Sequence, residues 1–97
     1  MELDDIETIT VLGAGTMGHG IAEVAALAGY NVRLRDIEEE IVQDGYDQIE
    51  WSLNKLAEKD IISDEDRDAA IDSVTPVVDI EEAVDDTDVV IEAIIEE

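Results

Sequence analysis

The sequence has no cysteine and no phenylalanine, and it has one proline among 97 residues. Without cysteine there is no disulfide framework, no thiolate nucleophile and no cysteine-based metal site. Without phenylalanine, and with only Tyr30, Tyr46 and Trp51 as aromatics, a core must be closed by Val, Ile, Leu and Ala. Positive charge is scarce as well: five Lys and Arg stand against 28 Asp and Glu, a net charge of −23. So few cations cannot hold a phosphate backbone against that field, which excludes a nucleic-acid partner. No charged-then-apolar leader opens the chain, and no apolar run approaches the roughly 20 residues of a membrane span. A soluble, cytoplasmic protein is the expectation.

Apolar residues make up 45% of the chain and recur with regular periods, so the charge is not read as disorder. At this length one modest domain is expected. Self-repulsion of like charges destabilises a compact state, and screening lengths fall to about 3 Å at 1 M salt. Scarce lysine, abundant acids and small aliphatics resemble a halophilic, haloarchaeal proteome.

Acid is not spread evenly. From Ile9 to Arg35 the only acidic residue is Glu23. That stretch reads as strand, tight turn, helix and strand. Residues 6–12 alternate and then become continuously apolar, as a buried parallel strand does. A glycine-rich turn covers 13–18, an alanine-rich helix 16–28 ends at Gly29, and 31–36 is a second strand. The whole fits the size of a βαβ unit.

A long helix is predicted over about 38–59, with Val42, Tyr46, Ile49, Leu53 and Leu56 as its apolar stripe and Gly45 as a weak spot. Ser63 is placed to cap a helix over 64–73, whose first turn is acidic. These two helices form a hairpin over about 38–73. Strands at 74–78 and 88–95 follow, with a short helix at 80–84 between them. Pro76 argues for a strand start or an edge position.

Gly13-Ala14-Gly15-Thr16-Met17-Gly18 fits G-x-G-x-x-G in the context that gives the pattern meaning: after a strand, opening a helix, with acidic Asp36 at the end of the next strand. Gly13 permits the turn, Gly15 lets a pyrophosphate approach the backbone, and Gly18 allows close helix–strand packing. The helix N-terminus offers N–H groups and partial positive charge to the anion. Asp36 suits both hydroxyls of an adenine ribose and repels a 2′-phosphate, favouring NAD. Arg33 and Arg35 weaken that preference, since either is a candidate phosphate acceptor. His19, the only histidine, is read as a solvated or packing residue rather than a base.

The ordered set "VLGAGTMGHGIAEVAALAGYNVRLRDIEEE", "DGYDQIEWSLNKLAEKD" and "VTPVVDIEEAVDDTDVVIEAIIEE" resembles the N-terminal region of 3-hydroxyacyl-CoA dehydrogenases, including the 3-hydroxybutyryl-CoA type. The resemblance implies an α/β, Rossmann-type parallel sheet with a helical hairpin after the second strand. It implies NAD as cofactor, with Gly13, Ala14, Gly15, Thr16, Met17, Gly18 and Asp36 at the dinucleotide. It places Glu96 near the nicotinamide, with Glu92 as second choice. Ser52 and Lys59 match a serine and a lysine that contact CoA in the family; seven residues apart, they sit two helical turns from each other.

In the family the catalytic histidine, its glutamate partner and the assisting serine and asparagine lie beyond the fourth strand, where this chain has no counterpart. Residues 1–97 are therefore expected to be the N-terminal part of a dinucleotide-binding domain, truncated after about four strands and lacking the catalytic and dimerising parts. By itself it is expected to be inactive, with no catalytic residue and no metal site. In the intact enzyme the partners are NAD and acyl-CoA, and the full-length protein is expected to be a homodimer. The alternatives are a stand-alone, non-catalytic NAD-binding module, a fragment without ligand affinity, and a piece of a related hydroxy-acid dehydrogenase.

Overall fold

A computed structural model of the chain describes residues 6–93. Four strands, β1 (Thr8–Leu12), β2 (Asn31–Arg35), β3 (Val74–Val77) and β4 (Val89–Glu92), form one parallel sheet in the order β3-β2-β1-β4. The chain builds outward from β1 to β3 and then returns to the other side of β1. This reversal creates a switch point at the C-terminal ends of β1 and β4, where open α/β sheets bind ligands. Pro76 lies in β3, which pairs only with β2, so the missing N–H falls on an edge strand as expected.

Alternation along the strands sorts the two faces. Ile9 and Val11 of β1 and Val32 and Leu34 of β2 are buried against α1 (Thr16–Leu27), α2 (Glu39–Glu58) and α3 (Asp64–Ser73). Thr10 and Arg33 point the other way, to α4 (Ile80–Val84): Thr10 Oγ1 donates to the carbonyl of Ala83 at 2.6 Å. Thr10 is fully buried, and its hydroxyl also lies 2.8 Å from Thr87 Oγ1. The start of β4 is tied to the start of β1 by Asp88, whose Oδ2 accepts from the N–H groups of Glu7 (2.8 Å) and Thr8 (3.0 Å).

The hairpin occupies the expected segment, α3 with the expected Ser63 cap: Ser63 Oγ accepts from the Asp66 N–H. The stripe of α2 differs from expectation in two places. Its fully buried positions are Val42, Gly45, Ile49, Leu53 and Ala57, while Tyr46 and Leu56 are only partly buried. Gly45 is no weak spot. A Cβ there would lie 2.6 Å from the carbonyl oxygen of Ala14 and 3.3 Å from Leu34 Cδ2, so the missing side chain is what lets α2 touch the glycine turn.

Among the described residues the ion pairs are few and lie at the surface: Lys55 with Glu58, and the half-buried Arg67 with Asp64 and Asp68. Such pairs contribute little to stability. The fold is held by its aliphatic core and sheet, and its acid surface is left uncompensated. Also among the described residues, no helix is long and apolar enough to cross a membrane.

Candidate functional site: the glycine turn and the α2 face

Gly13 follows β1 with φ of +107°, a left-handed conformation that favours glycine, and its N–H donates to the carbonyl of Arg35 at 2.7 Å. The backbone then turns sharply into α1. Gly18 packs against that turn so tightly that a Cβ would stand 1.6 Å from the Gly13 oxygen. Gly15 is the opposite case: a Cβ there would meet nothing within 4 Å. Its function is therefore not internal packing. The open space lies at the N-cap of α1, where a pyrophosphate would approach the backbone.

The four described helices treat their N-termini differently. α2 begins with Glu39 and Glu40, α3 with Asp64, Glu65 and Asp66, and α4 with Glu81 and Glu82. Ser63 and Asp79 also cap α3 and α4 through side-chain oxygens. α1 has no acid in its first turn, and its N-cap, Gly15, has no side-chain oxygen to offer. Its first N–H groups and partial positive charge are left for an external anion. That accounts physically for the acid-poor stretch in so acidic a chain. Thr16 opens the helix and Met17 is half exposed beside it.

Asp36 stands just past β2 and turns toward the glycine turn. Its Oδ2 accepts from the Ala14 N–H at 3.0 Å and its Oδ1 from the Ile37 N–H at 2.7 Å. A carboxylate has about four acceptor sites, so two remain open to further donors. Arg33 and Arg35, considered as phosphate acceptors, are engaged elsewhere. Arg33 donates to the carbonyls of Glu82, Ala83 and Asp85 at the end of α4, and Arg35 Nε to that of Val78 at 2.8 Å. Their hydrogen bonds tie β2 to α4 and to the residue after β3, away from the glycine turn that Asp36 faces.

Glu92 ends β4 in register with Leu12, immediately before the glycine turn. Glu96 lies outside the described residues. Ser52 is half-buried on α2 and Lys59 is its exposed C-cap. A concavity of about 530 Å³ separates the turn from α2, lined by Ala14, Gly15, His19, Ile41, Asp44 and Gln48 with Gly45. Positions 41, 44, 48, 52, 55 and 59 recur every three or four residues and so share one helical face. Ser52 and Lys59 thus continue the face of α2 that borders the glycine turn. His19 belongs to this wall through its place one turn after Gly15, with its N–H donating to the Gly15 carbonyl. The sequence pattern gave no signal for Asp44 or Gln48; Gly45 had one, falling at the apolar interval between Val42 and Ile49.

Comparison with known proteins identifies the family. The model of the 3-hydroxyacyl-CoA dehydrogenase NAD-binding domain matches residues 8–97. The chain belongs to that family. The cofactor of this domain is accordingly NAD. Mitochondrial hydroxyacyl-coenzyme A dehydrogenase of Sus scrofa is 38% identical over 96 residues, covering 94% of this chain and 31% of that protein. The 3-hydroxyadipyl-CoA dehydrogenase of Escherichia coli K12 is 39% identical over 89 residues, covering 92% and 18%. Among solved structures, 3-hydroxybutyryl-CoA dehydrogenase from E. coli K12 superposes with a TM-score of 0.91 at 39% identity, covering 96% of this chain and 20% of that one. The (S)-3-hydroxybutyryl-CoA dehydrogenase of Ralstonia eutropha gives 0.90 at 35%, covering 96% and 32%. The chain therefore spans about a third or less of the relatives it matches.

Proposed function

We propose that this chain is the NAD cradle, and part of the CoA-binding surface, of an oxidoreductase that interconverts 3-hydroxyacyl-CoA and 3-ketoacyl-CoA. The observation that carries the reading is the bare N-terminus of α1, the one described helix with neither an acid nor a side-chain cap in its first turn. Gly13 and Gly18 shape the turn, and Gly15 keeps the approach to it open. The backbone of Ala14, Thr16 and Met17 borders the pyrophosphate, and Asp36 holds the adenine ribose. When bound there, NAD would supply the hydride acceptor for oxidation at C3 of the hydroxyacyl group. Glu96, or Glu92 at the end of β4, flanks the nicotinamide side. Ser52 and Lys59 contact CoA along the shared face of α2.

The 97 residues alone do not turn over in this reading. Their single histidine, His19, sits in the first turn of α1 beside Gly15 and serves the wall of the site rather than base chemistry. The intact enzyme is cytoplasmic and dimeric, without nucleic-acid or membrane partners, and the charge of −23 marks a protein adapted to high salt, of haloarchaeal type. Calorimetric titration with NAD tests the cradle: saturable 1:1 binding is expected, and its absence in both dilute and molar KCl would overturn it. Oxidation of NADH by the isolated chain in the presence of acetoacetyl-CoA would refute the proposed inactivity.

A further inference from the structure

Among the described residues, an anion at the glycine turn would meet no permanent cation. Arg33 and Arg35 donate to backbone carbonyls, Arg67 lies between Asp64 and Asp68, and Lys55 pairs with Glu58. Lys59 stands at the far end of α2 as its C-cap. The concavity of about 530 Å³ beside the turn has neither lysine nor arginine in its lining. It has His19, the only histidine of the chain. No other side chain of that lining can become positive.

Helix geometry aims this side chain. His19 follows the N-cap Gly15 by four residues, and its N–H donates to the Gly15 carbonyl at 3.0 Å. Residues four apart share a helical face, and each Cα–Cβ bond leans toward the N-terminus. A helical side chain therefore covers the turn before its own Cα. For His19 that is the first turn of α1, which has neither an acid nor a side-chain cap. Gly15, where a methyl would meet nothing within 4 Å, lines the same concavity. The other groups around the imidazole are acidic or neutral. α2 contributes Asp44 and the neutral Gln48 to the wall. Asp36, past the end of β2, is bonded to the N–H of Ala14, another lining residue. On α1 itself Glu23 lies one further turn along. β1 carries no charged residue, and α3, with Asp66, meets α1 at its other end, around Ala26 and Leu27. Three carboxylates thus oppose an incoming pyrophosphate, and a proton on His19 adds the one positive charge that offsets them.

We infer that His19 is a proton-dependent contact for the pyrophosphate of NAD. Neutral, it is a spectator in the wall; protonated, it donates a charge-assisted hydrogen bond to the anion. Imidazole is the side chain that ordinarily changes charge between about pH 5 and 8, and charge-assisted bonds are about twice as strong as neutral ones. The inference rests on the reading of the glycine turn as the pyrophosphate site and adds to it a link between cofactor affinity and pH. Binding that favours the cation tightens as pH falls, and by reciprocity bound NAD holds the proton on the imidazole.

A single histidine makes the test direct. NAD affinity is measured by calorimetry on the full chain from about pH 8 to about pH 5.5 at fixed KCl, a window above the ordinary range of carboxylates. Affinity is expected to rise at least about fivefold toward acid. His19→Gln, which keeps a donor but carries no charge, should lose this rise. His19→Lys, a fixed cation, should lose it too, with the tighter binding retained at the alkaline end. The Cε1 proton of the one imidazole gives an NMR signal that needs no variant, and it is expected to titrate at higher pH with NAD than without. NAD binding that is flat with pH in the parent, with an imidazole titration that NAD leaves in place, would overturn the inference while leaving the cradle intact. So would a rise that survives in His19→Gln, which assigns the proton to the α-amino group or to a carboxylate. No NAD binding at any pH would overturn both.

Discussion

Asp36 and Ala14 are bonded directly, carboxylate Oδ2 to backbone N–H at 3.0 Å. The acid proposed to hold the ribose also fastens the end of β2 to the glycine turn that follows β1. In that proposal, cofactor recognition and turn geometry share one side chain. Asp36→Asn keeps a carbonyl oxygen that can accept from Ala14, so it is expected to preserve the turn while losing the charge-assisted bonds to the ribose. Such bonds contribute about 1.5–3 kcal/mol, which corresponds to a loss of NAD affinity of roughly 10- to 100-fold. Asp36→Ala should lose affinity and also lower the unfolding midpoint. Calorimetry with NAD, paired with thermal unfolding, separates the two effects.

The glycines of the turn make opposite demands. At Gly18 an added methyl would lie 1.6 Å from the Gly13 oxygen, a backbone atom with no freedom to yield. Gly18→Ala is expected to cost about 3 kcal/mol or more, a large share of the stability of a small domain. At Gly15 the backbone has φ −69° and ψ −167°, open to any residue, and a methyl meets nothing. Gly15→Ala should therefore unfold at the same denaturant midpoint as the parent and yet bind NAD at least about tenfold more weakly. Weak NAD binding by Gly18→Ala alone would say nothing of the site; the decisive variant is Gly15→Ala.

The contrast also shows what was legible in the sequence. The turn, its flanking strand and helix, and Asp36 follow from spacing, because a βαβ unit allows few other arrangements. The hairpin followed from helical periodicity, and Pro76 marked an edge. The depth of α2 was harder to see. Periodicity favours Tyr46 and Leu56, which are only partly buried, whereas Gly45 is buried because α2 comes so close to Ala14 there that only glycine fits, and Ala57 is buried as well. The fates of Arg33 and Arg35 depend on α4 and on Val78, more than 40 residues away, and no local pattern encodes them.

Thr10 tests the packing of α4. It is the one buried polar residue of the described core, and its hydroxyl serves the Ala83 carbonyl and neighbours Thr87. Thr10→Val preserves volume but leaves Thr87 without that partner and Ala83 with only Arg33. A destabilisation of about 1–2 kcal/mol is expected in urea unfolding. If the variant proves as stable as the parent, the Thr10–Ala83 bond does not hold α4.

Asp88 gives a pH dependence whose sign can be derived. Hydrogen bonds from the Glu7 and Thr8 N–H groups hold its carboxyl below the usual carboxylate range, against a smaller opposing effect of burial. A lowered folded pKa means that protonation is harder in the folded state. Its stabilisation is thus present above the unfolded pKa of about 3.9 and disappears as pH falls through the lower, folded value. Asp88→Asn should be less stable than the parent at pH 7, and the gap should close as pH drops below about 4. Urea unfolding of both proteins across that window measures it; a gap constant with pH would mean that the carboxylate charge has no part in clamping β4 to β1.

Net charge yields the last expectation. Twenty-eight acids and five basic residues leave repulsion that the few surface pairs of Lys55 and Arg67 cannot offset. The remedy open to the solvent is screening, whose range contracts from about 10 Å at 0.1 M salt to about 3 Å at 1 M. Raising KCl from 0.1 to 2 M is therefore expected to raise the melting temperature by at least about 5 °C, the shift that roughly 1 kcal/mol produces in a domain of this size. Excluded cosolutes also stabilise folded chains, so an uncharged osmolyte is the control. Sucrose at equal osmolality should give a smaller rise than KCl, because it leaves the repulsion unscreened. A melting temperature that is flat in KCl, or that responds equally to sucrose, would remove charge repulsion as the limit on stability, and with it the physical basis for the reading of this chain as salt-adapted.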